Sequence, residues 1–155
     1  MRFEEHIASL GRKIGLNLQI DDEGACVLSV DDMTVTLQGL PEVESVGFWG
    51  EIGEPPPQGL ERLLSAMLNA NHMFKGTGGA TLSRDSESGK FYLCRVLDLR
   101  CLEADAFANA LERFVNTLEA WIRLVRDYRE TAADDEPAED GVSAPDLRNG
   151  GFLVV

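Results

Sequence analysis

The chain opens on a helical rhythm. Phe3, Ile7, Leu10 and Ile14 recur every three or four positions with charges between them, which predicts a short amphipathic helix stopping near Gly15. The period then drops to two. Cys26, Leu28 and Val30 alternate with Ala25, Val27 and Ser29; after Asp31-Asp32, Met33, Val35 and Leu37 alternate with Thr34, Thr36 and Gln38. That pattern predicts a hairpin with one apolar face. A third strand is expected over residues 44–52, past the break at Gly39-Leu40-Pro41. Pro55-Pro56-Pro57 ends it, because proline cannot donate to a ladder.

Helical spacing returns at 59–74, with Leu60, Leu63, Leu64, Met67, Leu68 and Phe74 as the apolar stripe and Gly76 as the stop. Residues 80–84 and 90–97 predict a second hairpin around Asp85-Ser86-Glu87-Ser88-Gly89. The longest periodic stretch runs from 103 to about 129, where Phe107, Leu111, Phe114, Leu118, Trp121, Val125 and Tyr128 step by four and three. Glu103 and Asp105 at its start and Arg123, Arg126 and Arg129 at its end suit the helix dipole. Such a stripe fits a coiled coil or a core helix; its short length and aromatic content favour a core helix across a sheet. The predicted fold is α+β in the order α-β-β-β-α-β-β-α, an antiparallel sheet of about five strands with three helices. Residues 1–130 are expected to form the domain. Residues 131–155 read as an acidic, flexible tail with an apolar end, Phe152-Leu153-Val154-Val155.

Composition narrows the function. A chain of 155 residues suits one domain with a core that needs no disulfide or metal. It holds 27 acidic and 14 basic residues, a net charge of −13. The tail carries six of those acids and one base, so the body is acidic in its own right, at −8. Such a surface repels nucleic-acid phosphates and anionic membranes and suits basic or apolar partners. No apolar run is long enough to span a bilayer, and Met1-Arg2-Phe3-Glu4-Glu5-His6 leads into no signal-peptide core. No membrane insertion and a cytoplasmic location are therefore expected. Cys26, Cys94 and Cys101 are odd in number and lack Cys-x-x-Cys spacing, and read as reduced thiols.

Candidate chemistry is sparse. His6 and His72 lie in different predicted helices, and no zinc-ligand spacing occurs. Lys75-Gly76-Thr77-Gly78-Gly79 is glycine-rich but joins a helix to a strand, so a phosphate would meet the helix end of the wrong sign. No Gly-x-Ser-x-Gly elbow is present, and a Cys94–His72 pair has no evident third group. Neither catalysis nor a metal or cofactor is expected. What remains is a binding surface. Phe48 and Trp49 are adjacent in one strand and point to opposite faces, as do Phe91 and Tyr92. A thin sheet with apolar residues on both faces needs a second cover: its own loops, a second subunit or a peptide.

One stretch carries more. Leu63-Leu64, Asn69-Ala70-Asn71 and Gly76-Thr77-Gly78-Gly79-Ala80-Thr81-Leu82-Ser83 resemble the central signature of the Tir-chaperone group of type III secretion chaperones. The Ser88-Gly89-Lys90-Phe91-Tyr92-Leu93 hairpin and the final helix are similar to theirs. The resemblance implies a cytoplasmic bacterial homodimer without cofactor or catalysis. Such a chaperone binds the N-terminal segment of a secreted effector and keeps it extended and export-competent. It further implies dimer contacts through Leu60, Leu63, Leu64 and Met67. Phe3, Ile7, Val46, Phe48, Trp49, Phe91 and Leu93 are the expected partner contacts. The tail departs from the family pattern and admits two readings: disorder, or an apolar end that adds to a sheet edge or fills an empty client groove. The competing function is a regulatory adaptor that binds a folded cytosolic partner.

Overall fold

The computed structural model describes residues 2–134 and 144–145. Helix α1 spans Phe3–Ile14. Strands β1 (Ala25–Val30), β2 (Met33–Leu40) and β3 (Ser45–Gly53) follow. Helix α2 (Leu60–Asn71), strands β4 (Thr81–Arg84) and β5 (Phe91–Asp98) and helix α3 (Ala104–Asp134) complete the chain order. The five strands form one antiparallel sheet in the order β1-β2-β3-β5-β4. The α+β expectation and its element order hold.

The period-2 pattern decides which face is covered. Leu28, Val35, Gly50, Leu93 and Leu82 lie side by side across the sheet, as do Cys26, Leu37 and Phe48. This face packs beneath α1 and α3, and nearly all its apolar side chains are buried. Two glycines allow the close approach. A Cβ on Gly39 would come within 2.8 Å of the Phe3 ring, and one on Gly50 would collide with Leu118. Phe48 meets Phe107 and Phe114 edge-on at 5.6 and 5.7 Å.

Helix α3 is the spine of this layer. Phe107, Phe114, Leu118, Trp121 and Val125 are buried along it, so the four-three stripe is a core stripe and not a coiled-coil seam. It also ties the other helices down. Trp121 Nε1 donates to the Gly76 carbonyl at 2.8 Å, Tyr128 Oη donates to the Gly59 carbonyl at 2.9 Å, and Lys13 pairs with Asp105 at 3.0 Å.

Helix α2 ends earlier than its apolar spacing predicts. It stops at Asn71 and passes into a 3-10 turn, His72–Phe74. Met73 and Phe74 there take φ of 55° and 53°, a left-handed step that an α-helix cannot contain. Helix α3 in turn runs to Asp134, past the expected boundary at residue 130. The apolar end of the tail, 152–155, lies outside the described residues.

Candidate functional site

The two edges of the sheet are unequal. Asn71, the last residue of α2, lies beside edge strand β4. Its Oδ1 accepts from Leu82 N–H at 2.8 Å and its Nδ2 donates to Leu82 C=O at 3.0 Å. The Ala80 N–H donates to Thr77 C=O at 3.0 Å. The outward backbone groups of Leu82, in the middle of β4, are thus taken up by the segment before it, which hinders the addition of another strand there.

At the opposite edge, Ala25 is capped in the same way. Its N–H donates to Asp21 Oδ1 at 2.8 Å, and its C=O accepts from Asp21 N–H at 2.8 Å. In an antiparallel ladder every second residue turns its backbone groups outward. Val27 and Ser29 therefore follow Ala25 in facing the edge, and among the described residues no backbone partner meets them there. Strand β1 is the open edge.

Among the described residues, no helix lies on the second face of the sheet. Val27, Thr36, Trp49, Cys94 and Thr81 form one row across it. Gln38, Gly47 and Val96 form the next, and Tyr92 and Ser83 lie on the far side of the first. Val27 is 56% exposed and Val96 64%, whereas Cys26 and Leu28 beside Val27 are buried and Arg95 and Leu97 beside Val96 are half-buried. Trp49 and Tyr92 are half-buried here. A mixed strip thus crosses the sheet, with Val27 and Trp49 as its apolar members on either side of Thr36, and reaches the open edge at Val27. At the rim, hydrogen bonds from the Arg100 side chain and backbone hold the Asp98 carboxyl down to about 2.

A cleft of about 900 Å³ opens where α1 begins. Phe3, Ile20, Gly39 and Leu40 form part of its wall, with Glu4, Glu5, Asp22, Glu23 and Glu44 around them. Asp22 and Glu23 immediately precede β1, so the cleft adjoins the open edge. Its charge favours basic side chains.

The expected partner contacts divide on this geometry. Trp49 stands on the open face, and Phe3 lines the cleft although its side chain is mostly covered. Val46, Phe48, Phe91 and Leu93 are at most 1% exposed, and Ile7 is 2% exposed. They belong to the core beneath α1 and α3, where no partner reaches them; taking them as contact residues needs correction. The adjacent pairs point opposite ways: Phe48 and Phe91 are buried, and Trp49 and Tyr92 stand half-buried on the uncovered face. Val27, Thr36 and Val96 share the uncovered face with Trp49. The signal for them was the alternation itself, which places them opposite Cys26, Leu37 and Leu97.

The expected dimer residues divide similarly. Leu63 and Met67 point inward and join the core, while Leu60 and Leu64 are half-buried. The outer side of α2 and its turn instead present Leu68 and Met73, 69% and 74% exposed, with Phe74 also exposed.

Chemistry does not converge. Cys94 Sγ lies 3.5 Å from Ser83 Oγ, and His72 stands exposed at the end of α2. Burial, with help from Asp21, pushes the Cys26 thiol up, away from the reactive thiolate. Among the described residues, no group of three or more His, Cys, Asp or Glu is placed to hold a metal. No helix among them is long and apolar enough to cross a membrane.

One titratable group is locked in the core. His6 is 1% exposed, stacks on Phe107 at 4.8 Å, and neither ring nitrogen has a hydrogen-bond partner among the described residues. Burial lowers its pKa, as does the positive chain terminus, against the opposing pull of Glu5 and Glu103. The unfolded chain therefore takes up this proton more readily. The contribution is full above about pH 6.5 and is lost as pH falls below it towards the lowered folded value. His6→Phe is expected to gain about 1 kcal/mol at neutral pH by removing an unpaired buried polar group. That advantage should widen in urea titrations as pH falls from 7 to 5; a constant difference would contradict the reading.

Comparison with known proteins agrees with this architecture. The model of the Tir chaperone protein (CesT) family matches residues 5–122. Among solved structures, the chain is similar to one in the ExsC-ExsE complex, with 25% identity and a TM-score of 0.67 over 81% of this chain and 97% of that one. A chain of the HopA1-SchA chaperone-effector complex shows 22% identity and a TM-score of 0.62, over 81% and 93%. One from the ExoT-SpcS complex of Pseudomonas aeruginosa shows 22% and 0.56, over 74% and 91%. No curated protein sequence matches the chain.

Proposed function

The chain belongs to the Tir chaperone protein (CesT) family and is a type III secretion chaperone, and we propose that it holds the N-terminal segment of a secreted effector extended along the open edge and uncovered face of its sheet. The observation that carries this reading is the face holding Val27, Trp49 and Val96, which no helix among the described residues covers and which is continuous with the open β1 edge. An extended client fits both features. Its backbone pairs with Val27 and Ser29, and its alternate side chains continue the sheet face beside Val27. The acidic cleft next to β1 accepts basic client residues.

The hindered β4 edge supports the choice of side. Asn71 belongs to the signature stretch, and its role is structural: it covers the middle of one edge and leaves the other. The unit that performs this function comprises residues 1–130 with the last turn of α3. It acts in the bacterial cytoplasm, without catalysis.

The same reading includes a homodimer, now through the outward side of α2. Leu60, Leu64, Leu68, Met73 and Phe74 replace the inward pair Leu63 and Met67. Burying one leucine contributes roughly 1.5–3 kcal/mol. Leu68→Asp is therefore expected to weaken self-association at least tenfold in sedimentation velocity, with the thermal midpoint unchanged. A dimer of unaltered affinity would remove α2 from the interface. The function is tested by client binding to full-length protein carrying Trp49→Glu, argued below.

A further inference from the structure

Helix α1 can leave the body without breaking a strand ladder. It is 12 residues long, and side-chain packing holds it down. Phe3, Ile7 and Leu10 turn inward from it and are buried. Phe3 packs over Gly39, and Lys13 reaches Asp105 of α3 across an exposed seam. His6 stands in the same contact. Its ring stacks on Phe107 of α3, which in turn meets Phe48 of the sheet edge-on.

A buried imidazole without partners tolerates one charge state. Neutral, it packs as a flat ring. Protonated, it carries a positive charge and two N–H donors, and neither nitrogen meets an acceptor among the described residues. The charges around it do not supply one. Within α1, Glu5 draws the proton in and the chain terminus repels it, while Glu5 itself accepts from the Arg2 N–H at 2.8 Å. From the residue before α3, Glu103 also draws the proton in, and Asp105 is engaged with Lys13. The sheet side contributes the Phe48 ring. Burial outweighs the two carboxylates. The proton is therefore taken by moving the ring to water. Global unfolding does this, and so does release of α1 alone. Release costs less, because it keeps the five-strand ladder and the Trp121–Gly76 bond, and terminal elements open more readily than a central sheet.

We propose that α1 is an acid-released helix: when His6 is protonated, α1 leaves α3 and the sheet while the rest of the fold persists. The release bares the apolar side of α1 and the Phe107 ring. It also removes the Phe3 wall of the cleft beside β1, so acid dismantles that end of the client site. This last consequence rests on the client reading above; the release itself does not.

Hydrogen exchange of the full-length protein without client tests it, so a failure here leaves client capture untouched. Each amide rate is divided by its intrinsic value at the same pH, which gives the open population. For the α1 amides that population is expected to rise about threefold to eightfold from about pH 7 to about pH 5.5; eightfold is the ceiling for a histidine of ordinary pKa near 6.5. Amides of β3 and of the middle of α3 should stay better protected than those of α1 at both values. His6→Phe should flatten the α1 response, and His6→Leu repeats the test without the bulk of a six-membered ring. Three results would each overturn the proposal: a wild-type rise below about twofold, α1 amides as well protected as those of β3, or a pH response that survives in both variants.

Discussion

Trp121→Ala is expected to cost about 4 kcal/mol of folding stability, near the upper end for a single core truncation. Trp121 is fully buried, at the point where α3, α2 and the glycine turn meet. Removing it leaves a cavity, and it also strips the Gly76 carbonyl of its donor. A chain of this length should lose on the order of 10 °C in melting midpoint. Trp121→Phe separates the two causes: it keeps most of the packing but loses the hydrogen bond, for about 1–3 kcal/mol. Thermal and urea unfolding followed by circular dichroism measures both. A loss under about 1 kcal/mol for the alanine variant would mean that α3 is not the spine described here.

Trp49→Glu should act on the other property. It stands half-buried on the sheet face that no helix among the described residues covers. An aromatic anchor at the centre of a binding strip typically contributes at least 2 kcal/mol, so client affinity should fall roughly 30-fold or more while the melting midpoint stays near wild type. Phe48→Leu, one residue away, is the reverse case. It thins the contacts with Phe107 and Phe114 and should cost about 1–2 kcal/mol of stability with client affinity retained. If the two variants behaved alike, the assignment of faces would be wrong.

This separation of adjacent residues shows what a sequence conveys. The alternation of Cys26, Leu28, Val35 and Leu37 marked a buried face, and the four-three spacing from Phe107 to Val125 marked the helix that buries it. Periodicity reports which residues share a face because the backbone repeat imposes it. It does not report which face is left bare. That depends on where α1, α2 and α3 dock, and docking is settled by long-range contacts such as Trp121 with Gly76 and Phe3 over Gly39. Trp49 was therefore identified as candidate surface alongside Phe48, Phe91 and Leu93, which are core. For α2, the stripe Leu60, Leu63, Leu64, Met67 and Leu68 is wide enough to wrap two sides of a helix. Only the packed structure assigns Leu63 and Met67 to the inside and Leu68 to the outside. The early end of α2 escaped notice because Met73 and Phe74 are not residues that announce a left-handed turn. The edge seal by Asn71 was visible only as part of a resemblance, since an asparagine at a helix end has many local uses.

The proposed client strand lies beside β1. The most direct test is hydrogen exchange on the full-length protein, purified with its tagged client from cells that make both and compared with the protein alone. Limited proteolysis of the bound client is run alongside. The predicted result is slowed exchange at the Val27 and Ser29 amides, little change along β4, and protection of the client's N-terminal segment only. Unchanged exchange along β1, or a folded partner protected throughout its length, would contradict the account and favour an adaptor that recognises a folded surface.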